Sequence, residues 1–317
     1  MQSSRAESGD ATTDRDIRPA VRNATIAAEY PAADGRTHRP AGVGDRAGAA
    51  QPSSILVPQR LGLVATGLAA PLYHRFRLGE GGLLAVNAAL ALKYFPLGEG
   101  LGLAAISLLC LLSLYLFNDI VDARDDQHNP KKDRLLAALY VRERGLFLAL
   151  WLLTSGIAVG AGAWLDGRVG LWVFAVSLIN VAYSMLLKKV PFADIAWVGV
   201  WGGAYALIVT DAPAWILMVA AMTSICHIYQ ISEDRGADAA SGIATSATLR
   251  APLLSLLHAG LAAIVVASAW TLSGSVAALT LVGLLAYWLR WRDRPRIAWI
   301  LAKVHFSLVL AYLLAGG

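Results

Sequence analysis

Cysteine is almost missing from this chain: there are two in 317 residues, Cys110 and Cys226, each inside an apolar run. That excludes a disulfide framework and a thiolate metal centre. The six histidines show no metal-ligand spacing, so they are expected to pack or to lie at the surface. Charge is scarce too. Asp, Glu, Lys and Arg make up 15% of the residues against 57% hydrophobic ones, where soluble domains carry about 25% charged residues. Such a balance suits a bilayer. Residues 1–55 lack the apolar core of a signal peptide and hold seven Arg against seven Asp or Glu. A net-neutral segment rich in Ala, Gly, Ser and Thr is expected to be a disordered cytoplasmic tail. No nucleic-acid partner is expected.

What is abundant is long apolar sequence. Runs long enough to cross roughly 30 Å of hydrocarbon fall near 80–97, 101–122, 145–165, 169–187, 192–210, 213–231, 251–271, 274–290 and 297–315. The expectation is therefore an all-α polytopic membrane protein of nine transmembrane helices occupying 79–317. The segment 56–78, with "LGLVATGLAAPLYH" between Arg60 and Arg75, reads as interfacial. The loops after spans 2, 4, 6 and 8 carry fourteen Lys or Arg, and the short loops on the other side carry only Arg168. Positive charge collects on the cytoplasmic side, which places those four exits and the N-terminal tail there. Trp164, Trp172, Trp215 and Trp270 at outer ends, and Trp288, Trp291 and Trp299 at inner ends, read as an aromatic belt.

Two acidic patches interrupt this apolar chain. "NDIVDARDD" begins at Asn118. At 100° per residue, Asn118, Asp122 and Asp126 lie within about 80° of one another on a helix, with Asp125 beside them. Carboxylates at the end of a membrane helix are costly unless something offsets their charge. The second patch, "SEDRGADAASGIAT", repeats the four-residue spacing at Asp234 and Asp238, followed by Gly242 and Thr245. Both patches leave spans that exit to the same side. Between them "YSMLLKK" closes span 4 with Tyr183, Lys188 and Lys189, and Lys131, Lys132 and Arg134 follow the first patch. Oxygen donors suit Mg²⁺, which commonly shares its shell with phosphates. Lysine is a compact charge for a phosphate. Acids and bases at one opening point to a metal–diphosphate site.

The pattern N-x3-D-x3-D at Asn118, Asp122 and Asp126 resembles the first signature of the UbiA superfamily of intramembrane prenyltransferases. D-x3-D-x3-G-x2-T at Asp234, Asp238, Gly242 and Thr245 looks like the second, and Tyr183 with Lys188 and "VPFAD" resembles the element between them. The likeness runs from about residue 75 to the C-terminus. It implies a helical bundle around a central cavity open to the cytoplasm and to lipid. It implies Mg²⁺ ions bridging an isoprenyl diphosphate to Asn118, Asp122, Asp126, Asp234 and Asp238. Tyr183 and Lys188 would steady the leaving group and Arg134 would assist, while an acceptor as yet unidentified captures the prenyl group. Tyr115, Phe117, Trp197 and Trp201 are candidates to stabilise the allylic cation. The bacterial inner membrane is the expected location, with membrane lipid around the protein.

Two departures bear on the acceptor. Relatives follow the first signature with arginine and proline, whereas here Arg134 precedes Leu135. The arginine–proline element before the first span is missing, and Arg77 within "HRFRLGEGG" is its nearest counterpart. An aromatic-acid acceptor of the 4-hydroxybenzoate kind is therefore disfavoured. Two alternatives stay open: a terpene cyclase of the same type, and a phosphoribosyltransferase acting on polyprenyl phosphate. A transporter is the distant one, because Asn87, Lys93, Asn180, Asp194, His227 and Lys303 are polar residues within or at the ends of spans. Transporters usually place such groups at the midplane of inverted repeats, and no inverted repeat is visible. Interhelical hydrogen bonds are the expected role of these residues.

Overall fold

The computed structural model describes residues 57–77, 81–127, 132–240, 245–248, 251–291 and 294–316. The expected tail, 1–55, lies outside them, as do Lys131 and Gly242. Every regular element among the described residues is helical: α1 (Val57–Arg77), α2 (Gly82–Tyr94), α3 (Leu97–Asp126), α4 (Arg134–Arg142), α5 (Arg144–Leu165), α6 (Gly167–Ala182), α7 (Ala193–Ala206), α8 (Pro213–Ala240), α9 (Ala251–Leu272), α10 (Gly274–Trp291) and α11 (Pro295–Leu314). A π-helical turn, Tyr183–Leu187, extends α6, and a 3₁₀ turn, Ser246–Thr248, follows α8.

Local chemistry sets the ends. Asp166 closes α5 and caps α6, where its carboxylate accepts from Arg168 N at 2.7 Å. One residue thereby serves both ends of a tight helical hairpin. Asp133 caps α4 by accepting from Leu135 N and Leu136 N, both at 3.1 Å. Close approach follows from small residues. A side chain on Gly170 would meet the backbone of Ala163 at 2.7 Å, so α5 and α6 touch almost backbone to backbone.

Among the described residues six helices are long and apolar enough to cross a membrane: α3, α5, α6 with its π turn, and the apolar stretches of α8, α9 and α11. The other three expected spans are shorter. α2 has 13 residues and α7 has 14, about 20 Å each at 1.5 Å per residue, and the apolar part of α10 is Gly274–Leu285. Burial separates the bundle into centre and rim. The apolar windows of α3 and α8 are 61% and 56% buried, against 22% for α5 and 28% for α6 and α9. The two helices that carry the acidic patches are the central ones.

Scattered polar residues tie helices together, as expected for side chains in a medium without water. Asn87 donates to Tyr205 O at 2.8 Å, and Tyr205 Oη donates to Ser107 O at 2.9 Å. Asn180 donates to Leu114 O at 3.1 Å and Lys93 to Leu313 O at 3.1 Å. The Lys303 ammonium lies 3.4 Å from the centre of the Trp299 ring. Tryptophan follows the belt only in part. Trp164 and Trp270 are exposed, but Trp215 is buried at 3% exposure and belongs to the core. A satellite cluster of Leu116, Ile120, Ala123, Tyr140 and Phe147 receives Leu68 of α1, and Tyr140 Oη donates to Gly67 O at 2.8 Å. That bond fixes α1 to α4.

Candidate active site

Asn118, Asp122, Asp125 and Asp126 stand on the face of α3 turned away from Leu116, Ile120 and Ala123 of that satellite cluster. Asn118 Oδ1 accepts from Ser184 Oγ, and Asp122 Oδ2 accepts from Lys188 Nζ. One turn on, Asp125 pairs with Lys189 at 3.0 Å and Asp126 with Lys132 at 3.8 Å. Three lysines from two segments thus engage three carboxylates along one helix end. Asp122 is 19% and Lys188 38% exposed, so the pair sits at a rim that solvent reaches.

The π turn explains how Lys188 gets there. In an α-helix, residues five apart point about 140° away from each other. Here Lys188 N bonds to Tyr183 O, five residues back, at 2.9 Å. That wide turn brings the expected tyrosine and lysine to one side, and such turns recur at functional sites. Burial pulls the Lys188 pKa down, but Asp122, Tyr183 and Asp126 outweigh it and hold the amine above its ordinary range. Lys188 therefore stays cationic at neutral pH.

The second patch approaches through α8. His227 lies on α8 seven residues before Asp234, and the Tyr183 ring stands edge-on to it with centroids 6.3 Å apart. His227 thus stands between the Lys188 turn and the second motif. Its Nε2 is buried without a hydrogen-bond partner. Glu233 pairs with Arg296 of α11 at 3.8 Å. Thr245 is buried at 6% exposure. The Asp238 side chain lies outside the described residues. Among those described, no three His, Cys, Asp or Glu side chains converge to hold a metal ion unaided.

Not every expected residue joins the cluster. Arg134, the first residue of α4, is exposed and makes no side-chain hydrogen bond or ion pair with a described residue. Leu135, where relatives carry proline, is 85% exposed and gives its N–H to the Asp133 cap, a bond that proline cannot make. Phe117 packs on Trp151 of α5 with centroids 4.5 Å apart, and Trp197 donates to Ile179 O at 2.8 Å. Both serve helix packing. Tyr115 and Trp201 are buried, and Trp201 stacks on Tyr205. An apolar cavity of about 330 Å³ between α7, α8 and α9, lined by Phe192, Leu217, Leu257 and Ile264 among others, contains none of the acids. Sequence reasoning missed Ser184, and it placed His227 only among the interhelical hydrogen-bonding residues. For His227 a signal existed, because seven residues before Asp234 is the same helical face to within about 20°.

A model of the UbiA prenyltransferase family matches residues 82–309, well over half of the chain. The chain belongs to the UbiA prenyltransferase family. Six apolar helices of spanning length and this membership make it an integral membrane protein. Solved UbiA structures share the fold. A UbiA homolog from Archaeoglobus fulgidus bound to DMAPP and Mg²⁺ matches with TM-score 0.58 and 16% identity, over 75% of this chain and 96% of that one. A UbiA homolog from Archaeoglobus fulgidus bound to GPP and Mg²⁺ gives 0.56 and 16%, again over 75% and 96%. The apo UbiA homolog from Aeropyrum pernix K1 gives 0.57 and 17%, over the same shares. No curated protein matches the chain.

Proposed function

We propose that this chain is a Mg²⁺-dependent intramembrane prenyltransferase, which ionises an isoprenyl diphosphate and transfers the prenyl group to a small or lipophilic acceptor. The observation that carries the reading is the engagement of Asp122 by Lys188 across the π turn, in a member of this family. It puts a cation suited to phosphate directly on a carboxylate suited to a metal. Solved UbiA homologs that hold prenyl diphosphates with Mg²⁺ support it.

The donors fit the ion. Asn118, Asp122, Asp126, Asp234 and Asp238 offer oxygen only, which suits a hard cation. Mg²⁺ usually takes one or two carboxylates and completes its shell with water and substrate phosphates. When bound, Mg²⁺ supplies Lewis acidity to the diphosphate oxygens. The chain does the rest. Lys188 leaves Asp122 to donate to the diphosphate, and the Tyr183 hydroxyl adds a hydrogen bond. Both strengthen as the allylic C–O bond breaks and its electron pair moves to oxygen. Tyr115 and Trp201 stay the aromatic candidates to stabilise the resulting cation, since Phe117 and Trp197 pack against α5 and α6. The acceptor then forms the new bond with its own electron pair and releases a proton.

In this reading α2, α3 and α5–α11 make nine crossings, α1 lies along the interface, and the mouth faces the cytoplasm of a bacterial inner membrane. The test uses purified protein in lipid, Mg²⁺ and prenyl diphosphates of several chain lengths. Diphosphate release that needs Mg²⁺ and vanishes in Asp122→Ala and Asp234→Ala supports the reading. No release from any donor, with solute uptake into liposomes instead, sinks it. Product mass separates transfer from cyclisation.

A further inference from the structure

One buried acid is absorbed by neither motif. Asp194, in the first turn of α7, has 0% exposure. A buried carboxylate is tolerated only when hydrogen bonds satisfy it. Both of its oxygens are engaged: Oδ2 accepts from Ser246 N at 2.9 Å, and Oδ1 accepts from Ser246 Oγ and from Ile195 N, the latter at 2.9 Å. Ser246, itself 0% exposed, opens the 3₁₀ turn directly after Thr245, the last residue of the second motif. Its Oγ also accepts from Phe192 N at 2.7 Å.

Phe192 is where the backbone is strained. Its φ is +69°, and it is the only non-glycine residue with positive φ among the described residues. Such a conformation is unfavourable for a residue with a side chain and persists only where surrounding contacts hold it. Phe192 lies four residues beyond Lys188. The bonds from Asp194 to Ser246 to Phe192 therefore run from the segment that closes the second motif to the segment that carries Lys188.

We propose that Asp194 is a positioning residue of this site, acting through Ser246 to fix the Lys188 turn against the tail of the second motif. The inference rests on the prenyl-diphosphate reading for its purpose, though the latch itself is defined without it. An apolar packing role would not need both carboxylate oxygens on a single serine, nor a strained residue hooked to that serine.

The test compares wild type, Asp194→Ala, Asp194→Asn, Ser246→Ala and the Asp194→Ala/Ser246→Ala double variant, all full-length in lipid nanodiscs. Hydrogen exchange of residues 183–192 is measured without ligand, and inorganic pyrophosphate with Mg²⁺ is titrated calorimetrically. Losing hydrogen bonds to a charged group should speed exchange there and weaken pyrophosphate binding by about tenfold or more. Asn keeps an acceptor for Ser246 N and should fall between. The double variant should add nothing to Asp194→Ala, because both act through one contact. A merely structural acid would lower the melting temperature yet leave the affinity of the folded fraction unchanged. Unchanged exchange in 183–192 of folded Asp194→Ala, or additive losses, overturns the latch. If Asp194→Ala does not fold, Ser246→Ala must show the same two effects, and its silence overturns the proposal. Should wild type not bind pyrophosphate, the prenyl-diphosphate reading falls, and the exchange arm alone decides the latch.

Discussion

Lys188→Met separates a site lysine from a surface ion pair. Methionine keeps most of the stem and removes the charge. The lysine is 38% and Asp122 19% exposed, and exposed pairs are worth about 0–1 kcal/mol. Unfolding of Lys188→Met in lipid should therefore shift by less than about 1 kcal/mol. Catalysis should suffer far more. Lys188 is the cation that Asp122 keeps protonated, and in the proposed reaction it meets the charge that develops on the leaving oxygen. Removing one preorganised donor of that kind costs about 10²-fold in kcat, roughly 2.7 kcal/mol. Diphosphate release under saturating Mg²⁺ and donor is the assay. Lys188→Arg keeps the charge but not the point geometry, and should retain activity between the two. Release by folded Lys188→Met within about threefold of wild type would refute the reasoning, because the Asp122 contact would then be an ordinary rim ion pair.

Other consequences are separate. Gly170→Ala puts a methyl 2.7 Å from the Ala163 backbone and should cost about 1–3 kcal/mol by overpacking. Gly156→Ala, also within α5–α6 but with nothing within 4 Å, should stabilise by roughly 0.5–1 kcal/mol; thermal unfolding in one detergent compares the two. Tyr229→Phe breaks the 2.6 Å bond to His258 between α8 and α9 and should cost about 0.6 kcal/mol, the membrane average, with diphosphate release unchanged. Tyr140→Phe removes the bond to Gly67 O and should speed proteolysis within α1 before any other segment; uniform proteolysis along the chain would contradict that docking.

Much of the site was legible because helical phase can be counted. Asn118, Asp122 and Asp126 are one face in the sequence and one face in the structure, and Lys132 and Lys188 reach Asp126 and Asp122, whereas Arg134 does not join them. Phase says nothing about neighbours, however. Phe117 lies next to Asn118 in sequence yet turns to Trp151, and Trp215, placed at a boundary by its position in a run, packs in the core. The π turn was illegible for a different reason: no side chain in "YSMLL" demands an i→i+5 bond, which comes from packing. Span limits were less legible than span positions. Apolar length set the limits of α2 and α7, but their helices end after 13 and 14 residues, because Pro96 precedes α3 and the chain turns at Leu207–Val209 before Pro213. Asp194 was visible as an oddity and its partner was not, since Ser246 is 52 residues away.

The most direct measurement is an experimental structure of the protein in lipid with Mg²⁺ and geranyl thiodiphosphate, a donor analogue that resists ionisation. The account predicts the diphosphate between the α3 acids and Asp234, with Lys188 moved from Asp122 onto a phosphoryl oxygen. Density for the analogue elsewhere, with Lys188 still on Asp122, would contradict it.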